Sequence, residues 1–428
     1  MTKKKALVVG SGGREHALAW KLAKNADVST VYCAPGNGGT RYEEKVTNVC
    51  IDATDTKNFQ ALHNFIQKEN IELTVIGPEL PLANGIVDFL NAKGYNKVFG
   101  PTQEASTLET DKFYSYILMK MLNIPQANSI MCYSIDRAIS AIEKLAAPEG
   151  IVIKARGLAA GKGVAVCDSK EQALEEIIKY PAKHKTNNVL IAERLFGKEF
   201  SVFGISDGKK VYPINIPVQD YKRVYNGNKG QNTGSMGSYA PVPFVSQKVT
   251  EEIFERILNP LVQGMKSDNL EYKGFLYAGM ILTDNGPKVI EFNTRLGDPE
   301  CQPMMMLMDD LFTPLSLALD NKLNEVDIKC KPGASCCVVL ASKEYPNGKD
   351  TNHVIFGLDA ISNVQGLKVF HSGTMTNKGA ILTAGGRILG ITAYSPDGVA
   401  SAQSLVYKSI PFIKTMNQFH YRTDIADC

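Results

Sequence analysis

The chain has 428 residues, enough for roughly two to four domains with substantial hydrophobic cores. Its 47 lysines and arginines nearly balance 44 aspartates and glutamates, and a net charge of +3 gives no reason to expect a nucleic-acid partner. The sequence has no membrane-length apolar run and no signal-peptide core, and its nine scattered cysteines lack metal-ligand spacing, so we expect a cytoplasmic protein with reduced thiols and no membrane contact.

The first hundred residues alternate short apolar strands with helices, which is the pattern of an open parallel α/β sheet. Strands are predicted at residues 6–9, 30–33, 73–76 and 98–99, with helices from residue 14, over about 56–68 and from residue 82. Each strand runs into a loop marked by glycine or proline, and in open α/β sheets such loops share the edge that binds ligands. We assign residues 1–104 to this N-terminal domain.

The loop Gly10-Ser-Gly-Gly-Arg-Glu-His16 is a candidate anion site at the start of a helix. The amides of Gly12 and Gly13, together with Arg14, suit a phosphate, and Glu15 suits ribose hydroxyls or an amine. The alternative for Glu15 is an ordinary first-turn helix carboxylate. A dinucleotide fingerprint would require glycine at Glu15 and an acidic residue about 20 positions downstream, so dinucleotide binding is disfavoured.

Residues 105–325 are predicted to form a second domain. It begins with a helix over about 103–122, continues with a small α/β lid at about 123–189, and ends in an antiparallel sheet with strands near 199–205, 275–282 and 288–293. Residues 326–428 are predicted to form a small β-rich C-terminal domain. Its strands are expected after the break Lys331-Pro-Gly333, near 335–341, 367–370 and 386–393. The expected fold class is therefore multidomain, combining α/β with α+β architecture.

A strand with Lys154 runs into a glycine-rich loop, which we interpret as a phosphate clamp for ATP. Gly157, Gly161 and Gly163 allow close approach of backbone amides to an anion, and Lys162 adds a second positive charge. The loop lacks the spacing of a Walker A motif. A plain glycine hairpin is the alternative.

Glu291 and Asn293 lie at positions i and i+2 of a predicted strand, so their side chains share one face. Two oxygen ligands suit Mg²⁺, which completes its shell with water and nucleotide phosphates; a solvated strand edge is the alternative. Arg295 follows closely and can stabilise charge on a γ-phosphate or a carboxylate.

The segment that leaves the lid is a candidate adenosine site. Main-chain groups near Arg194 and Leu195, at the end of the strand that carries Glu193, can meet a base edge, and Glu199 can meet the ribose. A surface ion pair is equally compatible with this segment.

The polar, glycine-rich stretch 220–237 is too long for a simple turn. Lys222, Arg223 and residues 232–237 can cover phosphates and substrate. A mobile surface loop is the alternative.

Taken in chain order, these motifs resemble the ATP-grasp superfamily and, within it, the glycinamide ribonucleotide synthetase family. The resemblance covers nearly the whole chain and rests on residues 12–17, 34–37, 77–79, 157–164, 232–234, 274–279, 291–293, 295 and 297–300. Two positions depart from the family pattern, Arg156 in place of an aspartate and Ser235 in place of a glycine. Both border the phosphate site.

The resemblance implies ATP-dependent ligation of glycine to 5-phosphoribosylamine through glycyl phosphate, in purine biosynthesis, with Mg²⁺ or Mn²⁺ and small-molecule partners only, and we expect a monomer. It implies that Lys112 joins Lys154 on the nucleotide and that Arg295 and Asp298 serve the glycine. It also implies that the following residues bind phosphoribosylamine or belong to the covering loop, residues 220–237: Gly12, Gly13, Arg14, Glu15, Asn37, Pro78, Glu79, Lys222, Arg223, Asn232 and Gly234. The alternatives are another ATP-grasp carboxylate–amine ligase and a non-catalytic nucleotide-binding regulatory protein.

Overall fold

The computed structural model describes residues 3–145, 147–158 and 163–427. In this part of the chain no helix has the length and apolar character needed to cross a membrane. None of the described cysteines forms a disulfide, and most are buried.

The N-terminal segment is a five-stranded parallel sheet in the order β3-β2-β1-β4-β5. Alternate residues of its central strand face two separate cores: Ala6 and Val8 pack in the core with the first helix, and Leu7 and Val9 pack in the core with the later helices. This two-sided burial explains the unbroken apolar run. The elements are β1 Lys4–Gly10, α1 Gly13–Lys24, β2 Val28–Pro35, β3 Val46–Asn48, α2 Phe59–Glu69, β4 Leu73–Ile76, α3 Glu79–Ala83, α4 Ile86–Ala92 and β5 Val98–Phe99.

The lid is a four-stranded antiparallel sheet in the order β6-β9-β7-β8, with two helices packed on it. Two helices precede it where the sequence predicts one, because Asp111 interrupts the helical run and caps the second helix by accepting the Phe113 amide at 2.9 Å. The elements are α5 Thr107–Thr110, α6 Lys112–Met121, β6 Ser129–Cys132, α7 Ile135–Lys144, β7 Ile151–Ala155, β8 Val164–Cys167, α8 Lys170–His184 and β9 Val189–Glu193.

The rest of the chain is organised around an eight-stranded sheet in the order β16-β15-β10-β11-β14-β17-β22-β19. Pairing of β14 with β17 carries this sheet from the second predicted domain into the C-terminal one. Its strands are β10 Lys198–Asp207, β11 Val211–Asp220, β14 Gly237–Ala240, β15 Lys273–Thr283, β16 Gly286–Asn293, β17 Ala334–Ala341, β19 Leu367–His371 and β22 Arg387–Ser395.

Shorter elements surround this sheet. A hairpin pairs β12 Arg223–Tyr225 with β13 Lys229–Asn232, and a three-stranded sheet contains β18 Asp350–Val354, β20 Thr374–Asn377 and β21 Ala380–Gly385. The helices are α9 Gln247–Ile253, α10 Asn259–Ser267, α11 Cys301–Leu307, α12 Phe312–Leu319, α13 Leu358–Ile361 and α14 Val399–Ser409. The predicted fold class, with its parallel N-terminal sheet and antiparallel lobe, is confirmed.

Candidate active site

A cavity lies between the lid and β16, with α6 forming one wall. The lid contributes Lys154 and Gly163, α6 contributes Lys112 and Tyr116, and β16 contributes Val289 to Asn293. Glu79, Glu109 and Arg295 also line it, so the cavity reaches from the lid to the N-terminal sheet. The predicted clamp and the predicted metal pair therefore face one space.

Lys154 and Glu291 dominate the electrostatics of this cavity. The Lys154 ammonium donates to the carbonyl of Ile290 at 3.0 Å, and burial lowers its pKa even though Glu291 opposes that effect. Burial alone would raise the pKa of Glu291, but Lys222, Lys112 and Lys154 together hold it below its ordinary value. Glu291 is therefore an ionised carboxylate at neutral pH.

The donor set of β16 fits a hard divalent cation. Glu291 offers a carboxylate, and Asn293 offers an amide oxygen that already accepts one hydrogen bond from Arg295 Nη2 at 3.0 Å. Within the described residues no three His, Cys, Asp or Glu side chains form a metal cluster. A metal ion at this pair would thus take its remaining ligands from substrate oxygens and water.

Two carboxylates lie within 4 Å of the Lys222 ammonium, near the predicted metal pair. Its ammonium lies 3.5 Å from Glu199 Oε2 and 3.8 Å from Asp220 Oδ1, and the pKa of Lys222 is raised, chiefly by Asp220. Burial raises the pKa of Asp220 to about 7 although Lys222 opposes it; nearby Glu300 adds to the rise. Lys222, from the covering loop, thus lies near Glu291 and contributes to the low pKa of that carboxylate.

Arg295 is held by a carboxylate that sequence reasoning missed. Glu109 is 7% exposed; it accepts from Arg295 Nη2 at 2.8 Å, from the Thr294 amide at 2.7 Å and from the Thr294 hydroxyl at 3.0 Å. Arg295 Nε lies 3.5 Å from Glu79 Oε2, is buried and makes no hydrogen bond within the described structure. Arg295 is thus buried between Glu109 and Glu79 where it lines the cavity.

The N-terminal loop is closed by an internal ion pair. Arg14 Nε donates to Glu15 Oε1 at 2.6 Å, while the other Glu15 oxygen accepts the Gly12 amide at 2.6 Å. Arg14 Nη1 donates to the Leu296 carbonyl at 3.0 Å, which ties the loop to the segment after β16. The structure therefore brings Arg14 and Glu15 together with Arg295 and Asp298.

A side chain at Gly12 or Gly13 would displace the polar side chains around Asp298. A Cβ at Gly12 would lie 2.7 Å from Glu15 Oε2 and 3.3 Å from Asp298 Oδ2, and one at Gly13 would lie 2.6 Å from Gln302 Nε2. Gln302 donates to Asp298 Oδ1 at 2.7 Å. No motif in the sequence marked Gln302.

Other predicted site residues have different surroundings. Asn37 donates to the Ser11 and His371 carbonyls at 2.9 and 2.7 Å and accepts the Gly39 and Thr40 amides, so its amide group organises the loop. Pro78 is the N-cap residue of α3, directly before Glu79.

The predicted adenosine segment makes hydrogen bonds within the protein. The Glu193 carboxylate accepts the Asn128 amide at 3.0 Å, and the Arg194 amide donates to the Gly150 carbonyl at 3.0 Å. The assignment of this segment to adenosine stays a prediction. Leu195 is half-buried and, like Glu193, is not among the residues that line the described cavity.

The remaining predicted residues lie on the two loops around the site. Arg223 donates to the Gly230 carbonyl at 2.6 Å inside the β12–β13 hairpin, where it pairs with Asn232. Neither lines the described cavity. Among the described residues, no atom lies within 4 Å of a Cβ built at Gly157. Gly161 and Lys162 lie outside the described residues.

Arg156, one of the two departures from the family pattern, forms a bidentate ion pair. Its Nε lies 3.0 Å from Asp111 Oδ1 and its Nη2 lies 2.7 Å from Asp111 Oδ2. The Arg156 carbonyl accepts the Lys112 amide at 2.8 Å. The end of β7 is thereby fixed to the start of α6, where the Lys112 side chain enters the cavity.

Three family models match successive parts of the chain: phosphoribosylglycinamide synthetase, N domain, at residues 4–109; its ATP-grasp (A) domain at 110–301; and its C domain at 335–428. The phosphoribosylamine–glycine ligase of Neisseria meningitidis serogroup A is 44% identical over 430 residues, covering 99% of each chain. That of Rhodopirellula baltica is 40% identical over 437 residues, covering 100% of this chain and 98% of its own.

A solved structure of the same family is also similar to this chain. The crystal structure of phosphoribosylamine–glycine ligase from Thermotoga maritima has a TM-score of 0.82 and 31% identity, covering 99% of this chain and 100% of its own. The biotin carboxylase domain of 2-oxoglutarate carboxylase from Hydrogenobacter thermophilus, in complex with MgADP, has a TM-score of 0.70 at 16% identity, covering 98% of this chain and 92% of its own. The second likeness concerns the fold alone.

Proposed function

This chain belongs to the phosphoribosylglycinamide synthetase family, and on that premise we propose how its residues carry out the ATP-dependent ligation of glycine to phosphoribosylamine. The activity is that of an ATP-grasp ligase in purine biosynthesis. The division of labour among residues is our inference. It is supported chiefly by one observation: Lys154, Glu291, Asn293 and Arg295 line a single cavity that ends at Glu79.

The reaction needs an activated carboxylate. A glycine carboxylate oxygen attacks the γ-phosphorus of ATP, ADP departs, and glycyl phosphate forms. The amine of phosphoribosylamine then attacks the glycyl carbonyl carbon; the C–O bond to phosphate breaks, phosphate leaves, and the attacking nitrogen loses a proton. These steps demand alignment and charge neutralisation rather than a covalent enzyme residue.

The nucleotide end of the cavity supplies positive charge. We assign the phosphates of ATP to Lys112, Lys154, Gly157 and Gly163. Glu291 and Asn293 would hold Mg²⁺ or Mn²⁺, which neutralises phosphate charge when bound.

The other end receives the two small substrates. We assign the glycine carboxylate or the transferred phosphoryl group to Arg295, which lines the cavity. Asp298 meets the glycine ammonium. We assign the phosphate of phosphoribosylamine to the Gly13 amide and Arg14, because the Gly12 amide already donates to Glu15 Oε2. We assign its ribose to Glu15 and Glu79.

The experiment is ADP release across a panel of amino acids, with phosphoribosylamine formed in situ. Release that requires both glycine and phosphoribosylamine, with alanine and serine inactive, is the expected result. Release with another amino acid, or without phosphoribosylamine, would point to a different carboxylate–amine ligase. Nucleotide binding without any turnover would point to a regulatory protein.

Three broader expectations complete the proposal. Domain divisions near residues 104 and 325 predict limited-proteolysis fragments with those ends. A monomer predicts a sedimentation mass near 46.7 kDa. Cytoplasmic residence is tested by fractionation of cells that express the chain with a C-terminal tag.

A further inference from the structure

Arg387 enters the substrate end of the site from the C-terminal segment, at the first residue of β22. Its Nη2 lies 3.1 Å from Asp298 Oδ2, and its Nη1 donates to the main-chain carbonyls of Asp298 and Gly234. The side chain is 21% exposed. Three contacts made by one rigid, planar guanidinium fix its position and that of both partners.

Gly234, in the covering loop before β14, is held twice by the C-terminal segment. Besides the contact of its carbonyl with Arg387, its amide donates to the Tyr345 hydroxyl at 2.9 Å. A Cβ at Gly234 would lie 3.0 Å from the Tyr345 oxygen and 3.2 Å from Arg387 Cζ. The covering loop therefore packs closely on the C-terminal segment, and a side chain at Gly234 would push against Tyr345 and Arg387.

Asp298 lies where the three parts of the chain meet. Its Oδ1 accepts from Gln302 at 2.7 Å, and a Cβ at Gly12 would come within 3.3 Å of its Oδ2, so the carboxylate borders the N-terminal phosphate loop. Burial alone would raise the pKa of Asp298, but Arg387 and then Arg14 hold it below its ordinary value. The carboxylate is thus ionised and oriented beside the proposed acceptor site.

We propose that Arg387 is a positioning residue for glycine: it orients the Asp298 carboxylate toward the glycine ammonium and holds the Gly234 loop beside it. This inference rests on the proposed function, which assigns the glycine amine to Asp298. An anionic carboxylate complements an ammonium, and a protonated or rotated one does not. The C-terminal segment thereby acts on the chemistry of the site without touching the reacting atoms.

The test uses full-length Arg387→Gln and Arg387→Lys, with steady-state kinetics for each of the three substrates and the pH profile of kcat/KM for glycine. In Arg387→Gln we expect the glycine KM to rise roughly tenfold or more, since a charge-assisted contact is lost, with a smaller change for ATP. The acid limb of the profile should move to higher pH, because Asp298 loses its main stabilising cation.

Arg387→Lys separates charge from geometry. The ammonium keeps the acid limb near its wild-type position but cannot make all three contacts, so the glycine KM stays raised. Lys408→Gln, at an exposed cation of α14, is the matched control and should behave as wild type.

Two outcomes overturn the inference in different ways. Equal increases in all three KM values, with an unshifted acid limb, would mean that Arg387 only supports the fold. Asp298→Asn tells the two proposals apart: if that variant leaves glycine kinetics unchanged, the assigned role of Asp298 itself is wrong. If it raises the glycine KM while Arg387→Gln does not, only the inference on Arg387 fails.

Discussion

Replacing Glu109 with glutamine tests whether this buried carboxylate holds Arg295 in place. Glutamine has the same shape, but its amide carries only one oxygen, so it cannot accept from both Arg295 and Thr294 as the carboxylate does. The Gln amino group must then face one of these donors. Losing one buried, charge-assisted hydrogen bond costs about 1.5–3 kcal/mol, or roughly ten- to a hundredfold in a rate or equilibrium constant.

We expect the lost hydrogen bond to lower the turnover rate, because Arg295 is proposed to stabilise charge during phosphoryl transfer. In Glu109→Gln, kcat for glycine-dependent ADP release should fall by roughly ten- to a hundredfold, and ATP binding measured by calorimetry should change far less. The matched control is Glu104→Gln, at an exposed glutamate of the same segment. Wild-type kcat and wild-type thermal stability in Glu109→Gln would refute the reasoning.

Three further changes address other parts of the site. Glu291→Gln should keep the fold but shift the Mg²⁺ titration of ADP release to much higher concentrations, because a charged ligand becomes neutral; an unchanged titration contradicts the assignment. Arg14→Ala should raise the phosphoribosylamine requirement by roughly ten- to a hundredfold and spare ATP, whereas Lys154→Ala should do the reverse; the opposite pattern would place nucleotide at the N-terminal loop. For His16, burial holds the pKa below the ordinary 6.5, so stability should be full above about pH 6.5 and decline as pH falls, and His16→Asn should flatten this dependence in denaturant titrations.

The sign of the His16 effect follows from burial, which lowers the pKa of His16 although Glu43 opposes it. The hydrogen bonds of the ring show which nitrogen carries the proton in the neutral form. Its Nδ1 accepts the backbone N–H of His371 at 2.9 Å, so the ring proton resides on Nε2, which lies 2.9 Å from Glu43 Oε1. Protonation at Nδ1 would break the bond to His371. In the unfolded chain the imidazole is free and becomes protonated at a higher pH than in the native state. As the pH falls, protonation therefore stabilises the unfolded state relative to the native state.

The fold was predictable wherever an element is decided by its own residues. Strand β4 has the predicted bounds, 73–76, because a short apolar run is bounded by Glu72 and by Gly77-Pro78. The helix predicted over 103–122 was wrong as one element, since Asp111 prefers the cap position and starts a new helix there. The preference of aspartate for that position was a signal present in the sequence.

The site was predictable only where several functional residues are close together along the chain. Glu291, Asn293 and Arg295 form such a group, and the structure brings them into one cavity. Glu109 lies 186 positions from its partner Arg295 in the sequence, and Arg387 lies 89 positions from its partner Asp298. Each is a single charged residue, and no local pattern marks it. Identifying them required the pairing of β14 with β17 and the packing of α5 against β16.

The cationic side chains of the site fall into two classes, those that already have a carboxylate partner and those that do not. This division indicates which end of the site is oriented before the substrates bind. At the proposed substrate end each arginine already has a carboxylate partner; the pairs are Arg14–Glu15, Arg295–Glu109 and Arg387–Asp298. At the proposed nucleotide end Lys154 donates to a main-chain carbonyl and, within the described residues, forms no ion pair. Because a buried charge without a partner is costly, an incoming triphosphate stabilises Lys154 and should raise its pKa. The nucleotide end thus gains most of its electrostatic stabilisation on binding, while the paired arginines keep the substrate end oriented beforehand.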